Sequence, residues 1–374
     1  TLCALRLLDT RGMSPRAVAL TVGGLAASVT LTMLSHNTGV LYPVVLAGVV
    51  AVLWTRERRA AVPGRPGDVT VDLDATVVLA TTTRPDLRAL GLGLGLGVAA
   101  WLPWMPGFLK QAGAVDAEFW LPAPTVTAVL EHLRNLLSAH APAPLTVVLA
   151  LAAVALAACG AWRLRGRPEA VLLVALLAGP LVLELLVSIR RPIFYSQTLI
   201  WTSVPLVVLA AVALAAIRWR ALAVAATVAL LVVNTTSLVA YYRAGSVEDW
   251  EGAALYVAEA AQPGDLLLFN AGWTRIPFDF YFQGIGPAVE ERGVPADLFE
   301  RGVLEPRMTT ADLPRLADLL DDGHRRIWLI YSHDWYTDPD AIVARHLDAV
   351  LERVGERRFT AIRVREYRPP TIDG

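Results

Sequence analysis

The sequence predicts a polytopic α-helical membrane protein of about seven spans, followed by a small extracytoplasmic α/β domain. Three observations lead there. Of its 374 residues, 55% are hydrophobic and only 18% charged, and the mean hydropathy is +0.50, a composition too apolar for an ordinary soluble enzyme. Apolar runs of roughly 17 to 22 residues, the length a hydrocarbon core requires, occur near 17–35, 38–54, 89–106, 144–162, 170–188, 196–217 and 219–239. From about Gly245 these runs stop and short helix and strand patterns replace them, so the chain divides into a transmembrane domain at 1–243 and a soluble one at 244–374.

The first two spans are joined at His36-Asn37-Thr38-Gly39. His36 and Asn37 are candidates to line a cavity, although a turn-forming Asn explains the same residues. In the third span Gly91, Gly93, Gly95 and Gly97 lower helix propensity, and Pro103 and Pro106 are expected to end it. The Gly-x-x-x-Gly spacing points to close helix packing, because no strand precedes it as a nucleotide loop would need. The loop at 107–143 contains an amphipathic stretch beginning at Pro124 and Thr125, read as a helix lying in the membrane interface. Asp116 and Glu118 in that loop read as solvated charges, and the Asn234 glycosylation triplet falls within the last span.

Arginine placement sets the orientation. Arg6, Arg11 and Arg16 precede the first span; Arg56, Arg58, Arg59, Arg65, Arg84 and Arg88 lie between the second and third; Arg163, Arg165 and Arg167 follow the fourth; Arg218 and Arg220 follow the sixth. All four clusters fall on one side, which the positive-inside rule makes the cytoplasm. The chain reads as a multi-pass protein of a bacterial inner membrane, its last domain outside. Arg190 and Arg191 break the pattern by sitting at an outer turn, followed by Phe194, Tyr195 and Trp201. Two readings fit: snorkelling cations in an aromatic belt, or cations placed to hold a phosphate. Glu184, the one acid well inside a span, should face a cavity or pair with Arg190 or Arg191.

In the last domain, Asp249 to Ala261 has helical periodicity, Pro263-Gly264-Asp265 turns, and Leu266-Leu-Leu-Phe is a buried strand. A helix near 310–321, a strand at Arg326–Tyr331, a helix from Pro339 to Val354 and a strand near Phe359–Arg365 follow. The segment from Ser332 through His333, Trp335 and Tyr336 to Asp338 joins polar groups to aromatics, as sugar-binding loops do; alternatively Asp338 caps the next helix and Trp335 packs beneath it.

Several classes are excluded. A formal net charge of −1 argues against nucleic acid. Cys3 and Cys159 stand far apart in apolar sequence, which argues against a disulfide framework or thiolate metal site. No nucleotide loop, metal-binding His-Glu-x-x-His or Ser/His/Asp order is present, so no cofactor or metal ligand is identified and metal dependence stays open.

Three pieces resemble the C-terminal half of bacterial polytopic glycosyltransferases of the C class, the mannosyltransferase-like group. They are Leu102-Pro-Trp-Met-Pro with Gln111 and Phe119-Trp-Leu-Pro-Ala-Pro; Arg191-Pro-Ile-Phe through Thr198-Leu-Ile-Trp to Pro205; and Asp249-Trp-Glu with Gln262-Pro-Gly-Asp265. The resemblance implies transfer of a sugar from a polyprenyl-phosphate carrier in the bilayer to a cell-envelope acceptor. It implies donor-phosphate binding, for which Arg190, Arg191, Tyr195 and Gln197 are the candidates, while the polar and aromatic loop residues His333, Trp335 and Tyr336 are the candidates for acceptor binding. Gln197 stands where relatives tend to carry an arginine, and it offers no charge or bidentate fork. The acid that activates the acceptor is expected upstream of Thr1, in an N-terminal part that this chain lacks. The alternative is a non-catalytic polytopic protein whose outer domain binds an envelope partner.

Overall fold

The computed structural model describes residues 1–60, 85–117, 121, 123–138, 140, 142–244, 248–298, 300–301 and 306–370. Arg65, Arg84, Glu118 and the Phe119-Trp120 part of the loop motif lie outside the described residues. The chain forms two compact units, one of Thr1–Ala112 with Leu121–Ala240 and the other of Gly113–Trp120 with Tyr241–Gly374.

The first unit is helical: α1 (Leu2–Leu8), α2 (Pro15–Ser35), α3 (Leu41–Ala60), α4 (Leu87–Trp101), α5 (Met105–Ala117), α6 (Val126–Ser138), α7 (Ala143–Arg163), α8 (Pro168–Ser188), α9 (Ser203–Ala215) and α10 (Arg220–Ala244). Among the described residues, six stretches are long and apolar enough to cross a membrane: Pro15–Ser35, Asn37–Arg59, Leu87–Gly113, Pro144–Arg163, Pro168–Ser188 and Arg220–Arg243. The chain is thus a multi-pass helical protein suited to a lipid bilayer.

Two spans differ from expectation. Pro103 and Pro106 do not end the third; a 3-10 turn over Leu102–Trp104 carries α4 into α5. Proline is tolerated there because it enters at the first positions of a new helical turn, where its missing N–H costs no bond. The expected sixth span at 196–217 is shorter, its apolar helix covering only Ile200–Ala215. Its beginning is taken by a non-helical connection, held by side-chain hydrogen bonds described below.

Glycines set the closest approaches. A Cβ on Gly97 would stand 2.7 Å from both the Ala26 carbonyl oxygen and the Val29 Cβ, and one on Gly160 would stand 2.0 Å from the Leu209 carbonyl oxygen. Absence of a side chain therefore lets α4 meet α2 and α7 meet α9 backbone to backbone. Gly91 and Gly95 would meet nothing within 4 Å, so only one of the two interleaved glycine rows is used here. Helix α6 starts after Thr125, whose Oγ1 accepts from Ala128 N at 3.1 Å.

The second unit is an α/β sandwich: α11 (Trp250–Ala260), β1 (Leu266–Asn270), α12 (Arg275–Phe282), β2 (Glu290–Val294), α13 (Leu313–Asp321), β3 (Ile327–Ser332), α14 (Asp334–Thr337), α15 (Ile342–Val350), β4 (Glu352–Phe359) and β5 (Ile362–Arg368). Strand order is β2-β1-β3-β5-β4. β1 is parallel to β2 and β3, while β5 runs antiparallel to both β3 and β4. Every residue of β1 and β3 is buried, because both faces of the sheet are covered. Leu267, Phe269, Trp328 and Ile330 meet α11 and α12 on one face. Leu266, Leu268, Ile327 and Leu329 meet residues of α13 and α15 on the other.

The expected helix from Pro339 to Val354 begins at Ile342 and ends at Val350, and 352–359 is a strand. Glu352 to Phe359 reads ERVGERRF, and its pairing with β5, with a register shift between Arg353 and Gly355, outweighs the helical propensity of its charged residues.

Candidate functional site

In the helical unit the sequence candidates gather on the connection from α8 to α9. Helix α8 ends with Arg190 N and Arg191 N donating to the Val187 carbonyl. Ser188, buried, turns the chain: its Oγ accepts from Ile193 N and Phe194 N, each at 3.0 Å. Four residues earlier, Glu184 is 1% exposed. Thr198 Oγ1 lies 2.8 Å from its Oε1, 3.0 Å from its Oε2 and 2.6 Å from the Tyr195 carbonyl oxygen. Glu184 therefore binds a hydroxyl, not the arginines that the sequence offered it. The two side chains cross-brace the connection, which is why the helix resumes only at Ile200.

The arginines differ. Arg191 donates from Nη1 to the Ala112 carbonyl at 3.0 Å and is half-buried. Arg190 is exposed, and its guanidinium has no hydrogen-bond or ion-pair partner among the described residues. Tyr195 is half-buried and Gln197 exposed on the same connection.

A cavity of about 550 Å³ lies among α1, α2, α3, the middle of α8 and the start of α9. Its walls are mainly apolar, among them Leu25, Leu46, Leu176 and Val204, with Thr32, Ser35 and Tyr42 adding hydroxyls and Trp201 and Pro205 contributed by the end of the connection and the start of α9. Tyr42 meets Trp201 edge to face at 6.3 Å, and its buried hydroxyl has no hydrogen-bond partner among the described residues. His36 and Asn37 are not among the lining residues. The His36 ring is turned onto its own loop, with Nδ1 2.9 Å from Thr38 Oγ1 and accepting from Thr38 N at 3.2 Å. Glu184 sits beneath the connection and does not line the cavity either.

In the second unit, the loops after β1 and β3 meet at the carboxyl end of the parallel strands, where the order reverses and α/β sheets commonly bind ligands. Asn270 Nδ2 donates to Thr337 Oγ1 at 3.1 Å, and the Trp273 and His333 rings are 4.8 Å apart. His333, in the left-handed backbone region at φ 57°, places Nε2 3.2 Å from Glu248 Oε1 and Nδ1 3.0 Å from Ser332 Oγ. Trp335 is 61% exposed, so it does not pack beneath the next helix. Tyr336 is buried, with the Arg307 guanidinium 4.5 Å over its ring. His333 and Trp335 are thus accessible, and Tyr336 supports them from below.

Asp338 has the structural role offered for it. It accepts from Tyr331 Oη at 2.7 Å, Ile342 N at 2.6 Å and Val343 N at 3.0 Å, capping α15 across a turn. Burial raises its carboxyl above the usual range despite those bonds. Asp249 and Asp265 are structural as well. Asp249 Oδ1 accepts from Gly252 N at 2.9 Å, capping α11, and the fully buried Asp265 receives Gln262 N, Trp328 Nε1 and Arg326.

Sequence reasoning missed Tyr42, Ser188, Thr198, Glu248 and Trp273. Thr198 figures only as the start of the Thr198-Leu-Ile-Trp piece, with no role, and the others carry no motif; each matters only through a neighbour distant in sequence or across a turn. Among the described residues no three His, Cys, Asp or Glu side chains come together as a metal site. No family model, curated protein or solved structure matches the chain.

Proposed function

We propose that the chain is the carrier-binding part of an integral-membrane glycosyltransferase that moves a sugar from a polyprenyl-phosphate carrier to a cell-envelope acceptor. The observation that carries this reading is one connection holding both a cation without an ion-pair partner among the described residues and a cavity wall. Arg190 is exposed without an ion-pair partner among the described residues, and eleven residues on Trp201 lines an apolar cavity. An acyl or prenyl chain suits such walls, and a phosphate at the membrane surface suits the guanidinium. Negative charge grows on the leaving phosphate as the glycosidic bond breaks, so a fixed cation there favours the transition state over the ground state. Gln197 and Tyr195 add hydrogen bonds, and Glu184 with Ser188 and Thr198 keeps the connection in shape.

The test is Arg190→Ala in the full-length protein, assayed with lipid-linked sugars. The expected result is a loss in kcat/KM of at least about tenfold, the size of one charge-assisted hydrogen bond, with membrane insertion unchanged. Arg191→Ala should cost as much, but it also removes the bond to Ala112, so Arg190 is the cleaner probe. Unchanged kinetics in both would remove the donor-site assignment. A protein whose outer unit only binds an envelope partner would behave oppositely, losing binding on Trp335→Ala and keeping it on Arg190→Ala.

A further inference from the structure

Helix α12 is built differently from the other long helices of its unit. In α13 and α15, Leu316, Val343, Ala344 and Leu347 face the sheet, while Asp318, Asp321, Arg345 and Asp348 are on the outside or its flanks. Helix α12, Arg275-Ile-Pro-Phe-Asp-Phe-Tyr-Phe282, also buries a face, through Phe278 and Phe282. Yet Phe280 is 79% exposed, Ile276 54% and Tyr281 38%, and Ile285 just beyond is 52% exposed. At about 100° per residue, Phe280 points opposite to Phe278 and Phe282, with Ile276 beside it. The two charged residues of the helix do not offset this face. Arg275 is bound to Asp279 at 3.0 Å and to Glu291 at 2.6 Å. A helix apolar on all sides except one neutralised stripe is unusual next to water.

Two further observations name what covers it. Only four residues, 245–248, separate the end of α10 from Asp249, a reach of at most about 18 Å even when fully extended. Helix α10 is long and apolar enough to cross a membrane, and α11, which Asp249 caps, shares one core with α12 through Trp250, Val257, Phe278 and Phe282. The helix beside α12 is therefore tethered to a span by a very short leash. Phe, Tyr and Ile beside a polar Gln283 also form the composition of an interfacial element, whose rings settle at headgroup level.

We infer that the exposed face of α12 docks on the lipid bilayer, with Ile276 and Phe280 entering the boundary between headgroups and acyl chains. The inference depends on α10 being a membrane span and is independent of glycosyl transfer.

A nitroxide at Gln283→Cys, two turns on from Ile276, leaves the docking residues intact. With Cys3→Ala and Cys159→Ala in the full chain, held in phospholipid nanodiscs, its collision rates with oxygen and with a water-soluble nickel chelate report immersion. The expected oxygen-to-nickel ratio is several-fold higher at 283 than at Arg345→Cys, on the charged side of α15. Adding Ile276→Ser and Phe280→Ser should return it to the α15 value. Equal ratios at the two positions would overturn the inference, and so would a ratio insensitive to the serine pair. Dipolar broadening between labels in nanodiscs holding two copies, with low oxygen access, would overturn it in favour of a second copy of the chain.

Discussion

In the helical unit, neighbouring elements meet where a side chain is missing: Gly97 against Ala26 and Val29, Gly160 against Leu209. In the second unit, charge pairs join neighbouring strands and loops, Asp265 to Arg326 at 2.9 Å, Glu356 to Arg365 at 2.9 Å, Asp312 to Arg301 and Glu300 to Arg315. The one buried acid among the described residues of the helical unit, Glu184, is matched to a hydroxyl instead. The difference follows from the solvent. Lipid offers no hydrophobic drive to bring helices together, so close van der Waals approach must do it. Water does offer that drive, and ionic groups can then fix which layers meet, provided that none is left alone. Arg190, like several other exposed arginines of the helical unit, takes no part in an ion pair among the described residues; what sets it apart is its place on the connection between α8 and α9.

The largest effect that separates the two units should come from Asp265→Ala. It leaves Arg326 and Trp328 Nε1 without their shared acceptor inside the core. Loss of one partner of a buried pair costs about 3–5 kcal/mol, a large fraction of the roughly 5–15 kcal/mol that holds an ordinary domain folded. Denaturant unfolding of the full chain in detergent should show this loss in the second unit alone. A loss under about 1 kcal/mol would mean that the ion pair is not what ties β1 to β3.

Gly97→Leu is the matching change in the helical unit. Its side chain must displace the Ala26 carbonyl and Val29, and overpacking of this kind costs about 1–3 kcal/mol. Gly95→Leu, pointing into open space, is the control and should be close to neutral. Equal effects of the two, read as resistance to unfolding in mixed detergent, would dismiss close packing as the reason for the glycine row.

The same contrast explains what the sequence revealed. Spans were legible because twenty apolar residues in a row have one solution in lipid. The glycine spacing was legible as packing, but not which row is used, since Gly91/Gly95 and Gly93/Gly97 look alike until α2 is placed. Strands β1 and β3 were legible as buried runs, whereas β2, Glu290-Glu-Arg-Gly-Val294, was not, being an edge strand whose charges belong to water. Helix α12 was unread because it lacks the polar stripe that marks a surface helix. At the candidate site, Arg190 and Arg191 were visible as charge against the positive-inside bias. The Ser188 and Thr198 braces were not, because a hydroxyl announces nothing until the chain folds back over it.

The smallest effect concerns pH. The Arg315 hydrogen bond holds the Glu300 carboxyl at about 2. In Asp312 burial pushes upward, but bonds from Arg301 and Thr309 outweigh it and the carboxyl lies below its ordinary range. Glu356 is lowered by its bond from Arg358. A carboxyl with a depressed folded pKa binds fewer protons folded than unfolded, so its contribution is complete above the unfolded value, about 4, and is lost as the pH falls towards the folded one. The second unit should therefore weaken between about pH 4.5 and 2. The glycine contacts of the helical unit carry no titrating group and should not respond. Fluorine labels, one on Cys159 and one at Arg345→Cys with Cys3→Ala, report the two units separately during an acid titration. Arg315→Gln should reduce the second unit's response, because it removes the largest of the interactions that lower Glu300 and leaves the weaker hold of Asp297 N. An acid response of equal size and midpoint at both labels would show that charge does not divide the molecule in this way.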